Sequence, residues 1–594
     1  MKSDKPEGSA MSQSNWKSLI DLLSQTAKKW PQKEALFYRQ EDTTYHPITY
    51  ATCLYHIQQL ASGLSKLGLL PGDRVAILCT NRPEWMFSDF AILSLGCIVV
   101  PIYPTLSAQE IAYILNDCQA KILILESSSH TTIVQKIWPE CSSLLQIITL
   151  CEPSITPPHD TQKVIGFNTL CPPNPSPTPE QLDSWFSYTA TIDTNTVASI
   201  VYTSGTTGHP KGVILTHGNF LSNVAGILAI TPVGYADSAL SFLPLSHVFE
   251  RTVGYYTLLA VGGSIYYAKS IATLSQDLQL AKPTVLVSVP RVYEKMHDKI
   301  VESLSGLKKW LFYLAFYLPC RNRFTDKWIF SKIRQKTGGR LRFFVSGGAP
   351  LSKELGLFFN KLGLLIIEGY GMTETSPVIA CNQVSAYKFG TVGKALPNVQ
   401  TKQAEDGELL VKGPSVMVGY WANSETIIDS QGWLHTGDIV RQDAEGFIEI
   451  IDRKKELIVL SNGKKIPPQL IEKCLLKSPY ISQAIVIGDN KNYLSALLVP
   501  HISRVKQHVP ALRLVAENKW PTDAVALAFF NQIVTKACAD LAPFEQVKKI
   551  ILLMDELTPE SGFLTPTLKP KRRIIASHFK TIIDALYTSE RTIK

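Results

Sequence analysis

Between Tyr202 and Val213 the chain reads YTSGTTGHPKGV. In this run Thr203, Ser204, Thr206 and Thr207 supply hydroxyls, Gly205 and Gly208 supply backbone freedom, and Lys211 supplies a positive charge. Such residues at this spacing can wrap an anion: glycines turn successive N–H groups toward it, hydroxyls add donors and the ammonium adds a point charge. A Walker loop reads GxxxxGK[ST] and opens a helix. Gly205 and Lys211 keep that separation, but Pro210 stands at the second glycine, Gly212 at the Ser or Thr, and the following VILTH is strand-like. With ASIVYT before it, the pattern predicts two strands joined by a phosphate-gripping loop over 204–210. The plain alternative is an ordinary Gly/Thr hairpin turn.

Downstream lies EGYGMTET (368–375), where Glu374 offers a hard oxygen suited to Mg²⁺ or, more plainly, a helix-start carboxylate. In the same motif Tyr370 offers a flat face for a base or a core ring, and Gly369 and Gly371 permit close backbone approach. SGGAPLS (346–352), GWLHTGD (432–438), DRKKELI (452–458) and LTPTLKPKR (564–572) complete the set. In this order, with GDRVAIL and NRPEW nearer the front, the motifs resemble those of the adenylate-forming superfamily: acyl-CoA synthetases, peptide-synthetase adenylation domains and luciferases. The resemblance covers nearly the whole chain. LPLSHVFER (243–251), PTVLVSVPRVYEKM (283–296) and the TPTLKxKR form of the tail are similar to the long-chain fatty-acid branch.

That resemblance implies a reaction. A carboxylate resists nucleophiles because its carbonyl is electron-rich, so a thioester is made by first attaching AMP as a leaving group. The carboxylate attacks the α-phosphorus of ATP, pyrophosphate departs, and a thiol then displaces AMP. The first step gathers negative charge, so positioning and electrostatics should dominate. By resemblance, Thr203, Ser204, Gly205, Thr206, Thr207, Gly208 and Lys211 hold the phosphates, and Thr203 joins Glu374 around Mg²⁺. Gly348, Ala349, Gly369, Tyr370 and Gly371 form the adenine slot, Thr373 is a further ATP-binding residue, and Asp438 and Arg453 hold the ribose. Asp438 as a turn aspartate and Arg453 as a solvated arginine are the bland alternatives.

Lys569 is implied to enter the site during adenylation and stabilise charge between α-phosphate and carboxylate. Here no glycine precedes it and Pro570 follows, so Lys571 stays open as a substitute. His247 is placed by the resemblance at the carboxylate end of the acyl pocket, although a lone histidine is more often structural. Asp452 is the expected hinge residue, and Gly463 in SNGKKIPP (461–468) is expected to line the thiol tunnel.

The elements that must position these groups follow from pattern. RVAILCT (74–80), KILILES (121–127) and TVLVSV (284–289) are β-branched apolar runs bounded by turn residues, with helix-length segments such as 107–118 between them. This alternation predicts an α/β architecture with buried parallel strands. Prolines recur over 152–180, predicting a surface excursion. The expected fold is a large multi-subdomain α/β N-terminal domain over 1–451, a hinge at 452–454 and a small mobile α+β cap over 455–594, acyl-CoA synthetase-like.

At 594 residues, 45% apolar and 18% charged, the chain has room for several cores. The net charge of +9 suits a nucleotide or an acidic membrane surface. No nucleic-acid-binding module pattern is present, so no nucleic-acid partner is expected. The 11 cysteines are scattered, without CxxC pairs, and read as reduced thiols. No signal-peptide pattern or membrane-length apolar run occurs, so a cytoplasmic chain is expected. The basic and aromatic stretch 308–342 suits either peripheral contact with an anionic membrane or a core helix beneath a solvated basic face.

The leading expectation is a Mg²⁺- and ATP-dependent long-chain fatty acid:CoA ligase. The same adenylation chemistry could instead serve an acyl-carrier protein's pantetheine arm or a lysophospholipid. A luciferase-like oxygenase shares the adenylation motifs, though nothing argues for it. A non-catalytic fatty-acid binding or uptake protein would be expected to have lost Lys569, Glu374 or the 204–211 loop, and all are present.

Overall fold

The computed structural model describes residues 15–39, 44–126, 129–150, 155–172, 189, 191–203, 210–303, 312, 316, 330–424, 426–454, 457–461, 464–558, 561–564 and 570–588, and every count below is of these. The chain divides into two compact units, Met1–Thr401 with Val411–Leu434, and Lys402–Leu410 with His435–Lys594.

The first unit is built on two large sheets. One has eight strands in the order Gly419–Tyr420, Lys211–Thr216, Val197–Thr203, Ile98–Ile102, Arg74–Leu78, Ile122–Leu125, Gln146–Thr149 and Lys163–Gly166. Its inner strands, IVVPI and ILIL, are wholly buried, as continuous apolar runs in a covered parallel sheet must be. The helix Ala108–Asp117 that joins these two strands starts at a capping box in which Ser107 and Glu110 satisfy each other's backbone N–H groups.

The second sheet has nine strands. Its parallel part runs Glu34–Arg39, Ser264–Tyr267, Ser238–Ser241, Val285–Ser288, Phe343–Ser346 and Leu365–Gly371, with antiparallel edges at both ends. Strand Ser238–Ser241 lies between the two strands that follow it in the chain. Such a reversal opens a crevice beyond the carboxyl ends of the strands, where open α/β sheets bind ligands. The segment leading to His247 starts there.

The Pro-rich region holds two elements that pattern missed, a strand at Lys163–Gly166 and a helical turn at Phe167–Leu170. Lys163–Gly166 adds to the open edge of the eight-stranded sheet, parallel to Gln146–Thr149. It falls between Pro158 and Pro172, where no proline removes a ladder N–H, and an edge strand needs partners on one side only.

In the second unit, Leu434–Gln442 and Ile448–Arg453 pair as an antiparallel hairpin. A three-stranded sheet follows, with Leu494–Pro500 antiparallel to Ile481–Ile487 and parallel to Val547–Leu552. Helices Pro468–Leu476 and Ala524–Ala537 cover one face around Trp520 and Phe530, both buried. Leu564 and Ile575 pack with Ile485 and Leu497 in a second cluster.

The nine described cysteines are all unpaired and eight of them are buried, as expected of structural thiols. Among the described residues no helix is long and apolar enough to cross a membrane. Most of 308–342 lies outside the described residues. Of its aromatic side chains, Phe312 and Phe330 are buried in a cluster with Phe358 and Phe359, which makes these two part of a core.

Candidate active site

The expected hairpin is present. Val197–Thr203 and Lys211–Thr216 pair antiparallel, with Tyr202 opposite Gly212 and Thr203 opposite Lys211. The connecting loop, with Ser204, Gly205, Thr206, Thr207 and Gly208, lies outside the described residues. Its departure from the Walker pattern has a packing reason at Gly212. A Cβ there would sit 2.7 Å from Ile200 Cγ2 and 3.1 Å from the Tyr202 ring, so no Ser or Thr fits. Tyr202 Oη donates to the Asp117 carboxylate, and Trp421 Nε1 donates to the Asp117 carbonyl at 3.0 Å, fixing the hairpin from behind.

The strand Gly419–Tyr420 adds to the outer side of the hairpin, with Tyr420 opposite Val213. Its ring lies 5.3 Å from Lys211 Nζ, and its hydroxyl donates to Glu374 Oε1 at 2.9 Å. Tyr420 thus links the lysine of one motif to the carboxylate of another. Glu374, almost fully buried, sits on a single 3₁₀ turn, Thr373–Thr375, with its backbone carbonyl bonded by Met417 N–H at 2.8 Å. Among the described residues no three His, Cys, Asp or Glu side chains cluster as a metal cage. Glu374 and Thr203 each carry a hard oxygen of the kind Mg²⁺ takes, and Thr203 Oγ1 donates to the Lys211 carbonyl at 3.5 Å.

Tyr370 is half-buried on the strand Leu365–Gly371, opposite Ala380. The need for glycine at 371 is internal: a Cβ would lie 1.9 Å from the Pro377 carbonyl oxygen. Gly369 has only ordinary contacts around a notional Cβ. Gly348, exposed after the strand Phe343–Ser346, takes a left-handed φ of +78°, which a side chain would strain. Ala349 beside it is half-buried. Gly347 is closed in by the Phe249 ring, 2.8 Å from where its Cβ would be, bringing the SGGAP and SHVFER motifs into contact.

His247 follows the switch-point strand. Asn81, from the NRPEW motif, holds that segment with three bonds: its Nδ2 donates to Ser241 Oγ at 2.9 Å and to the Leu243 carbonyl at 2.6 Å, and its Oδ1 accepts from Leu245 N–H at 2.9 Å. His247 Nδ1 accepts from Phe249 N–H at 3.0 Å, and its ring meets Tyr103 edge-on at 6.2 Å. Desolvation among these apolar neighbours lowers its pKa to about 4, so the ring is neutral at pH 7. The folded ring holds a proton less tightly than the unfolded one, whose pKa is near 6.5. As pH falls the unfolded chain gains the proton first. Stability that is complete above about pH 6.5 is therefore lost toward pH 4, by up to about 3 kcal/mol. His247→Asn is expected to flatten this acid slope in urea unfolding run at pH 7.5 and pH 4.5; an unchanged slope would assign the loss to other groups.

Beyond His247 the chain forms a π-helical turn, Glu250–Tyr256, held by Arg251. Its guanidinium is fully buried and paired with Asp89, also fully buried, on the helix Pro83–Ser94. Arg251 Nη1 also donates to Ser199 Oγ at 2.8 Å and its Nε to Tyr256 Oη at 2.9 Å. Ser199 lies on the strand that ends at Thr203.

In the second unit, Asp438 and Arg453 face each other across the hairpin, with Arg453 Nε 3.0 Å from the buried Asp438 Oδ1. Gly437 adopts φ +73°, and its N–H donates to Glu408 Oε1 at 2.8 Å. Lys454 Nζ reaches Glu408 Oε2 at 2.9 Å. Burial alone would raise the Glu408 pKa, but hydrogen bonds from Lys454, Gly437 N–H and His435 outweigh it and hold the carboxyl below its usual range. Asp452 is fully buried, its Oδ1 accepting from Arg453 N–H at 2.6 Å and its Oδ2 from Gln469 N–H at 3.2 Å. Gly463 and Lys569 lie outside the described residues. Lys571 donates its N–H to the Phe563 carbonyl at 2.8 Å.

Within each unit the structure thus joins residues that sequence reasoning had singled out. It adds Tyr420, Asn81, Asp89 and Glu408, which that reasoning missed. Asn81 stood inside a quoted motif; nothing in the sequence marked Glu408, which pairs with Gly437 and Lys454, or the ring beside Lys211.

The chain matches the AMP-binding enzyme family over residues 23–421 and the AMP-binding enzyme C-terminal domain over 455–591. It is 34% identical over 583 residues to the long-chain-fatty-acid–CoA ligase FadD15 of Mycobacterium bovis, covering 93% of this chain and 94% of that protein. To the long-chain-fatty-acid–CoA ligase 5 of Rattus norvegicus it is 30% identical, covering 97% and 89%. The adenylation domain of a carboxylate reductase from Mycobacterium chelonae shares the fold, with a TM-score of 0.76 at 21% identity, over 96% of this chain and 91% of that one. The hairpin before Lys211, the carboxylate tied to it through Tyr420 and the two matched regions lead to one assignment: the chain belongs to the AMP-binding enzyme family, the adenylate-forming ligases.

Proposed function

We infer that the protein is a long-chain fatty acid:CoA ligase, converting fatty acid, ATP and CoA to acyl-CoA, AMP and pyrophosphate. The observation that carries this is the Lys211–Tyr420–Glu374 arrangement beside the phosphate-gripping hairpin, in a chain 34% identical to a long-chain ligase over 93% of its length.

In this reading the 204–208 loop and Lys211 grip the ATP phosphates. Thr203 and Glu374 hold Mg²⁺, which neutralises phosphate charge when bound. Tyr370, Gly369, Gly371, Gly348 and Ala349 receive adenine, Thr373 is a further ATP contact, and Asp438 with Arg453 receives the ribose. His247, neutral and held by Phe249 N–H, borders the acyl carboxylate without adding charge to it. Lys569 stabilises the charge that builds as the carboxylate attacks, Asp452 serves as the hinge residue of a 452–454 hinge, and Gly463 gives the thiol its path. Peripheral contact with an anionic membrane through the bases of 308–342 belongs to the same proposal.

The test is isotope exchange between pyrophosphate and ATP, which reports adenylation alone. Exchange should require a fatty acid and rise with chain length into the long-chain range. Exchange driven by amino acids or aromatic acids in place of fatty acids would refute the substrate assignment.

A further inference from the structure

We propose that Asn81 is a positioning residue for acyl-adenylate formation, a clamp that holds the segment carrying His247 on the eight-stranded sheet. The proposal rests on the reading of His247 given above.

Asn81 stands just beyond the strand Arg74–Leu78, and its chain neighbours are held by a carboxylate at the end of the adjacent strand Ile122–Leu125. Glu126 Oε2 accepts from Thr80 N–H at 2.7 Å and from Thr80 Oγ1 at 2.6 Å, and its Oε1 accepts from Arg82 Nη1 at 3.0 Å. Burial alone would raise the Glu126 pKa, but the bonds from Thr80 and Arg82 outweigh it and hold the carboxyl below its usual range. Asn81, between Thr80 and Arg82, is thereby presented from a fixed base.

From that base its amide reaches the other sheet. After Ser241 the chain leaves its strand, and Pro244 has no N–H to offer. The Leu243 carbonyl and the Leu245 N–H, on either side of that proline, are both met by Asn81, which also donates to Ser241 Oγ. A carbonyl and an N–H need opposite ends of an amide, so these partners fix which way the Asn81 group is turned. Leu245 and Val248 are buried, and His247 N–H closes onto the Pro244 carbonyl at 2.9 Å. His247 thus comes two residues after the last clamped group. Its ring meets Tyr103, which follows Ile98–Ile102, the strand paired with Arg74–Leu78. One sheet therefore holds the segment through Asn81 and receives the ring on Tyr103. Satisfying stray backbone groups is a use any buried amide can have. Three bonds from one planar group also set the direction of the segment, which a neighbour of the reacting atoms needs to within about 1 Å.

The experiment uses the full-length protein and fatty-acid-dependent pyrophosphate–ATP exchange, with fatty acid and ATP varied in turn. Asn81→Asp keeps the shape and the acceptor for Leu245 N–H but sets an oxygen against the Leu243 carbonyl, so the clamp is lost with least disturbance. It should lower kcat/KM for the fatty acid roughly 10- to 100-fold, the cost of misplacement beside the reacting group, and leave KM for ATP within about 2-fold. In a His247→Ala background the same change should cost less than about 3-fold, because a residue that acts through another loses its effect when that other is gone. Ser241→Ala removes one bond of the three and should show a loss of the same kind, roughly 3-fold, and it carries the test if Asn81→Asp does not fold. Matching losses for ATP and fatty acid would make Asn81 merely structural, and an undiminished cost in the His247→Ala background would give it another target; each overturns the proposal. If His247→Ala alone leaves adenylation intact, the reading of His247 falls and the proposal with it. If His247→Ala impairs adenylation while Asn81→Asp and Ser241→Ala do not, the proposal alone falls.

Discussion

Replacing Lys569 with alanine is expected to slow acyl-adenylate formation by roughly 10²- to 10³-fold, the range seen when one preorganised stabiliser of transition-state charge is removed. The expectation comes from the charge balance of the step. In the proposed reaction a carboxylate approaches a triphosphate gripped by Lys211, whose Nζ lies 5.3 Å from the Tyr420 ring. A second cation is needed where the new bond forms, and the LTPTLKPKR tail supplies two candidates, Lys569 and Lys571. Lys571 has its backbone bonded to Phe563 and stands as the N-cap residue of the helix Arg572–His578. Lys571→Ala is therefore expected to cost less than about 3-fold, with its fold retained. Pyrophosphate–ATP exchange on both variants checks the ranking, and the reverse order would transfer the role to Lys571.

Removing either member of the Arg251–Asp89 pair is expected to destabilise the first unit by about 3–5 kcal/mol, because the survivor is left as an uncompensated buried charge. Both side chains are wholly without solvent contact, and Tyr256 Oη and Ser199 Oγ complete the network. Asp89→Asn and Arg251→Met should each show the full loss in urea unfolding. The double variant Asp89→Leu/Arg251→Met should recover most of it, since apolar groups of similar volume need no partner. If the double variant is no better than either single one, the loss comes from packing rather than stranded charge. Because Arg251 holds the π-helical turn next to His247 and Ser199 sits on the strand ending at Thr203, the recovered double variant is also a means of separating stability from activity.

How far the sequence reveals this arrangement depends on the range of the interactions involved. The strands flanking 204–209 are legible because β-branched apolar runs and a Gly/Pro-rich break are local signals. The capping box at Ser107 and Glu110 is equally local. Tyr420 is not legible: it pairs with Val213 across a long stretch of chain, and its register is a tertiary result. Glu408 is hidden for the same reason, reaching Gly437 and Lys454 from another part of the chain. The edge strand Lys163–Gly166 was obscured by prolines that flank it without interrupting it. The π-helical turn has no periodic signature, since one widened turn leaves a 3.6-residue pattern nearly intact. At Gly371, read from the sequence as a place of close backbone approach, the crowding that demands glycine comes from Pro377.

The most direct test of the central claim is mass-spectrometric product analysis after incubating the protein with ATP, Mg²⁺ and a mixed-length fatty-acid panel, with CoA in one reaction and holo acyl-carrier protein in another. The account predicts long-chain acyl-CoA together with AMP and pyrophosphate in the CoA reaction. Acyl-carrier product without acyl-CoA would contradict the acceptor, and the absence of fatty-acid-dependent AMP from both reactions would contradict the account itself.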